Sequence, residues 1–169
     1  GMKPWLVATM LALAEYGAQG YSPELAVENH LTQLARTHGV PVTELESVDG
    51  QLALFGRLSD AEQLQFLEEA VELVETGEQA EEVRQIAAAW AGADQAGLDA
   101  IAHRIETDTT LSGRFMRDVL LDERNVAMAG KLARLLAQKD NSVAAVGVLH
   151  LVGTRSVPKL LQERGITVE

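Results

Sequence analysis

Residues 143–168 read Val143-Ala144-Ala145-Val146-Gly147-Val148-Leu149-His150-Leu151-Val152-Gly153-Thr154-Arg155-Ser156-Val157-Pro158-Lys159-Leu160-Leu161-Gln162-Glu163-Arg164-Gly165-Ile166-Thr167-Val168. The run from 143 to 149 is continuously apolar, the pattern of a strand buried on both faces. After a loop, a helix is expected at about 156–164, with Pro158 tolerated in its first turn and Gly165 closing it. Ile166-Thr167-Val168 then reads as a last short strand. Strand, helix, strand in that order is a β-α-β unit, which implies two parallel strands.

Working back from there, Asp140-Asn141 reads as a turn, preceded by a long helix from about 111 to 137. The later stripe of that helix is Leu121, Asn125, Met128, Leu132 and Leu135, at alternating steps of four and three. Further upstream, helical spacing recurs in several blocks. Asp94 caps one of them, and Ser59 with Glu62 forms a capping box for another. Gly39, Gly77 and Gly92 are read as helix ends. Residues 40–46 form a short strand entered through Pro41, and residues 5–17 and 24–38 two helices, the first starting behind Pro4. The fold class expected is α/β and helix-rich: a small, partly parallel sheet of about three strands with many packed helices. Residues 3–169 form one domain or one lobe; Gly1 and Met2 read as a tag remnant and start methionine.

The 169 residues suit one domain, and a hydrophobic content of 47% with only 4% aromatics means a core of Leu, Val, Ala and Ile. The net charge of -11 argues against nucleic acid or an anionic membrane as partner, since both are negative. With no cysteine, a disulfide framework, a thiolate metal site and a Cys nucleophile are excluded within this chain. No apolar run approaches the ~20 residues of a transmembrane helix. Lys3 and the apolar stretch behind it offer a second reading, a short signal peptide.

In open α/β sheets ligands bind beyond the carboxyl ends of the strands. Two ionisable residues are expected there, Glu46 and His150. His150 lies between Gly147 and Gly153, which let backbone approach a ligand closely. It can offer a neutral nitrogen to a metal or act as a general base, or be a hydrogen-bonded residue at a strand end. Glu46 can be a metal ligand or base, or a carboxylate in an ion pair. Glu44 is a weaker candidate on the same strand face. Arg124 and Asn125 border or interrupt the apolar stripe of the long helix. They can orient a carboxylate or bind an oxyanion, or clamp the helix structurally. His30 reads as a core histidine beside the apolar face of its helix. His38 reads as a helix-end cation, and His103 with Glu106 as an exposed polar pair. No Walker loop, GxGxxG, HExxH or GxSxG is present.

Four stretches in order resemble the TraB/GumN/Tiki family: Lys3-Pro4-Trp5; Val27-Glu28-Asn29-His30-Leu31; Val42-Thr43-Glu44-Leu45-Glu46 with Gln51; and Glu123-Arg124-Asn125 leading into residues 146–153. The resemblance spans residue 3 to the end. It implies a fold similar to erythromycin-esterase-like and ChaN-like proteins and a metal-dependent hydrolase acting on peptides. It further implies that His150 matches a second GxxH histidine and Glu46 the glutamate of an LE motif, together holding a divalent ion such as Mn, Co or Zn. Arg124 and Asn125 match a polar pair of the same site, and Gly147, Gly153 and His30 are expected on the substrate side. Glu28 stands where the family has aspartate. The family's first GxxH lies in an N-terminal half that this chain is expected to lack, so only half of the site is expected here, with little or no hydrolase activity.

Three functions compete: the C-terminal portion of a metal-dependent, peptidase-like hydrolase; a non-catalytic module binding a peptide or small ligand; and a helical interaction domain. The surface that a missing half would cover makes self-association an expected alternative. A cell-envelope or exported location is expected for the full-length protein.

Overall fold

The computed structural model describes residues 1–138 and 141–168. Asp140, the first residue of the expected turn, lies outside them. The elements are α1 (Pro4–Ala18), a 3-10 turn (Pro23–Leu25), α2 (Val27–Thr37), α3 (Val48–Phe55), α4 (Asp60–Thr76), α5 (Glu78–Ala91), α6 (Gln95–Thr107), α7 (Leu111–Phe115), a π-helical segment (Met116–Glu123), α8 (Arg124–Ala137), a second 3-10 turn (Val148–His150) and α9 (Val157–Glu163).

The described residues contain no strand, so the α/β reading with a partly parallel sheet is overturned: the architecture is all-helical. Residues 40–46, 143–149 and 166–168, the three expected strands, carry no ladder of hydrogen bonds with one another, and the second runs into a 3-10 turn at Val148. Apolar, β-branched composition makes a segment suitable for a sheet, but a strand exists only when a neighbour accepts and donates its backbone bonds. Val143 is 87% exposed, so the run is not buried on both faces either. What remains of the expected unit is side-chain packing. Val146, Ile166 and Val168 pack against a core of Met128, Ala129, Val157, Leu160 and Leu161 between α8 and α9.

The helix signals read locally are borne out. Ser59 and Glu62 form a reciprocal capping box at α4, and the Asp94 side chain accepts from the Gly97 amide at α6. Gly39, Gly77 and Gly165 all take positive φ just past helix ends, where a Cβ would be strained. At α5 that role passes from Gly92, with φ −83, to Ala93, with φ 49. The expected long helix is interrupted by the π segment, whose wider winding resets the phase of α8 relative to α7.

α1 packs along α4, α4 against α5, α5 against α6, and α8 against α9. Three apolar clusters hold these layers. Leu58, Phe115 and Val119 join the end of α3 to α7 and the π segment, with Phe55 and Phe66 alongside. Phe55 lies between Trp5 and Phe115, stacked on Trp5 at a centroid distance of 4.8 Å and tilted toward Phe115 at 5.4 Å. Ala89, Leu98, Ile101, Ala102 and Val152 fasten the loop after His150 to α5 and α6. The third cluster is the α8–α9 core. No helix among the described residues is long and apolar enough to cross a membrane.

Two substitutions separate this architecture from a sheet-based one. Val143→Asp is expected to leave the denaturation midpoint nearly unchanged, within about 0.5 kcal/mol, whereas a doubly buried strand would not tolerate it. Phe115→Ala, at a site 6% exposed, is expected to cost about 3–5 kcal/mol in the same measurement.

Candidate functional site

The site is organised by two consecutive residues at the start of α8. Side chains one position apart on a helix diverge by about 100°, so Arg124 and Asn125 reach toward different neighbours. Arg124 turns to the segment before α3. Its Nε donates to both oxygens of Glu46 at 3.0 and 3.1 Å, and its Nη2 to Oε2 at 2.7 Å. The two side chains are only 20% and 17% exposed. Arg124 Nη1 also donates to the Leu120 carbonyl, one turn back. Lys131, seven residues and two turns further on, donates to the Leu45 carbonyl from the same side of α8. Gln51 Nε2 adds a longer contact to Glu46. A segment without regular structure is thereby held against α8 by charge-assisted bonds at its backbone and its side chain.

Asn125 turns to the other side, toward α9 and the His150 turn. It is 2% exposed. Its Oδ1 lies 2.7 Å from His150 Nδ1, and its Nδ2 donates to the Arg155 carbonyl at 2.9 Å. The loop between His150 and α9 is fixed from below as well. Glu106 Oε1 accepts from both the amide and the hydroxyl of Thr154, and Asp122 pairs with Arg155 at 2.9 Å. Gly153 has φ +88, and a Cβ there would meet the Glu106 carboxylate at 2.9 Å, so glycine is required by the turn and its neighbour. At Gly147 a Cβ would stand 3.7 Å from His150 Cδ2, an ordinary contact. A small cleft beside Asn125 is lined by Leu121, Asp122, Leu149, Val152 and Arg155 among others.

Glu46, His150, Arg124 and Asn125 are thus brought together, though not at a sheet rim. Glu46 sits in a bend and His150 ends a 3-10 turn. His30 is not among them: it is exposed on α2, a helix with no buried residue, so it is not a core histidine. Glu28 and Glu44 are exposed as well. Glu106, read as half of an exposed polar pair with His103, is instead half-buried and bonded to Thr154. Lys131 and Arg155 were not singled out from the sequence. Only Lys131 had a signal there, its two-turn spacing from Arg124.

Electrostatics couples the pair. Burial, then the Arg124 charge, push His150 down to about 4, and the Glu46 charge opposes this only in part. Partial burial would raise Glu46, but the hydrogen bonds and charge of Arg124, aided by His150 and Gln51, outweigh it and hold the carboxyl below its usual range. The folded site therefore presents a neutral imidazole beside a charged ion pair at neutral pH.

The matching family model extends over residues 1–169 and describes the TraB/PrgY/gumN family. The chain belongs to the TraB/PrgY/gumN family. The uncharacterized protein YbaP of Escherichia coli (strain K12) and that of Shigella flexneri are each 29% identical to it over 158 residues. Those matches take in 94% of this chain but 56% of each YbaP, so the chain spans little more than half the length of these curated relatives. No solved structure matches it significantly.

The TraB resemblance implies a divalent ion at these donors. A catalytic zinc-type centre takes about three protein ligands and keeps a position open. Among the described residues no three of His, Cys, Asp and Glu converge, and both Glu46 oxygens already face Arg124. These residues do not make a metal centre by themselves.

The neutral histidine sets a pH dependence. Folded His150 takes up its proton near pH 4, whereas its ordinary value is 6.5. Between those values the unfolded chain binds more protons, so stability is full above pH 6.5 and declines as pH falls toward 4. The lowered Glu46 adds a loss of the same sign at more acid pH. Urea midpoints of the wild type are expected to fall between pH 7 and 5, and those of His150→Gln to fall less steeply over the same interval.

Proposed function

We propose that this chain carries the histidine and glutamate side of a TraB-type hydrolytic centre directed at a peptide, and that it has no hydrolase activity without further donors. What supports this is the convergence of Glu46 and His150 through Arg124 and Asn125, adjacent on one helix. His150 is neutral, and its Nε2 has no protein partner among the described residues. A neutral imidazole nitrogen in that state can accept a proton from a water or a substrate group, or serve as a ligand. Arg124 is engaged with Glu46 and a carbonyl, which makes it a positioning residue for the carboxylate. Gly147 stands beside the Cδ2 edge of the imidazole, where an added Cβ would come within 3.7 Å.

Because the donor set is incomplete, Mn, Co or Zn enters this reading only with donors from outside the described residues, and no chemical step is routed through an ion here. One observation favours the second reading, a non-catalytic peptide-binding module: the Glu46 carboxylate is committed to an arginine and so serves the structure.

Cobalt or manganese titrated into the chain and followed by NMR distinguishes the two. The hydrolytic-side reading expects weak binding whose paramagnetic effects centre on residues 46 and 147–153, are lost in His150→Ala, and come with no peptide hydrolysis. Peptide binding at those residues with no localised effect of the ion would replace it by the module reading. Tight stoichiometric binding with hydrolysis would contradict the claim of incompleteness.

A further inference from the structure

The amide of Asn125 has two ends of opposite chemistry, and its surroundings fix which end points where. Nδ2 donates to the Arg155 carbonyl oxygen at 2.9 Å, an atom that can only accept. Flipping the amide would set Oδ1 against that oxygen, two acceptors face to face, so the orientation follows from the backbone. That backbone is itself held, by the Arg155–Asp122 ion pair and by Glu106 on Thr154. Oδ1 is therefore the atom 2.7 Å from His150 Nδ1. An amide oxygen has no proton to give, so a contact this short requires Nδ1 to be the donor.

We propose that Asn125 is a positioning residue that locks His150 in the Nδ1–H tautomer, so that Nε2 stands as a permanent acceptor at the site. A neutral imidazole carries one proton, and Asn125 assigns it to Nδ1. The remaining lone pair lies in the ring plane at Nε2, next to Cδ2, the ring edge beside Gly147. Free histidine in water favours the opposite tautomer, so the arrangement is imposed by the fold. The same logic governs ligating histidines in general, where a partner on one nitrogen orients the other. The inference deepens the function proposed above, because Nε2 is the atom through which His150 would act there; its basis is the hydrogen-bond chain alone.

The test reads tautomers in the metal-free chain. Long-range proton–nitrogen correlation of the 15N-labelled protein at neutral pH separates protonated from unprotonated ring nitrogens. His30, His38 and His103, all exposed, serve as internal references. For His150 the expected result is an unprotonated Nε2 and a protonated Nδ1, reverting toward Nε2–H or a mixture in Asn125→Ala. The wild-type spectrum by itself decides the tautomer, which guards against a poorly folded alanine variant. An Nε2–H signature in the wild type, or an Asn125→Ala spectrum indistinguishable from it, overturns the proposal. Neither metal nor substrate is present, so the outcome is separate from that of the hydrolytic reading: a locked tautomer with no ion binding would sink only the latter.

Discussion

The first turn of α8 ties two otherwise independent stretches of chain to one rigid element. Residues 40–47 and 147–156 have little regular structure of their own, and unstructured backbone keeps a fixed position only if its polar groups find partners. Arg124 and Asn125 provide them in two directions about 100° apart, one through a two-pronged ion pair with Glu46, the other through a neutral amide bridging His150 and Arg155. A mostly buried arginine–carboxylate pair is costly to break from one side, since the remaining charge is left without compensation. The helix is positioned in turn by its packing on α9 and by the π segment before it. The one-residue angular step between Arg124 and Asn125 is thus converted into the relative placement of Glu46 and His150.

The surrounding layers serve that placement unequally. The α5–α6 cluster reaches the site through Val152, and the α8–α9 core through Met128 and Val157. The aromatic cluster around Phe115 stands at the start of the π segment and packs it against α3 and α4. By contrast α2, with an apolar stripe along one side and no buried residue, contributes nothing to the site within this chain. The neutral state of His150 is a consequence of the same packing: burial and the neighbouring guanidinium both disfavour the imidazolium.

Legibility in the sequence followed the range of the interactions involved. Caps and turn glycines depend on a few adjacent residues, and Ser59 with Glu62, Asp94, Gly39 and Gly165 could be read directly. The sheet could not, because the apolar runs at 40–46 and 143–149 specify suitability for pairing and say nothing about whether a partner strand is present. The two ends of those runs nevertheless identified Glu46 and His150 as neighbours, although the reason for their convergence is a helix and not a sheet rim. Asn125 stood out as an amide on an apolar stripe, where a buried polar group demands partners. Which partners it has, and that Glu106 rather than His103 is the residue tied to the loop, are long-range facts without a local signature.

The claim that α8 holds the site together is tested most directly by a double-mutant cycle on Arg124→Leu and Glu46→Leu, read by urea unfolding. A partly buried, bidentate pair that anchors the 40–47 segment should show a coupling energy of about 1–3 kcal/mol. A coupling below about 0.5 kcal/mol, the level at which independent sites simply add, would mean that Glu46 is held by something other than Arg124 and would contradict the account.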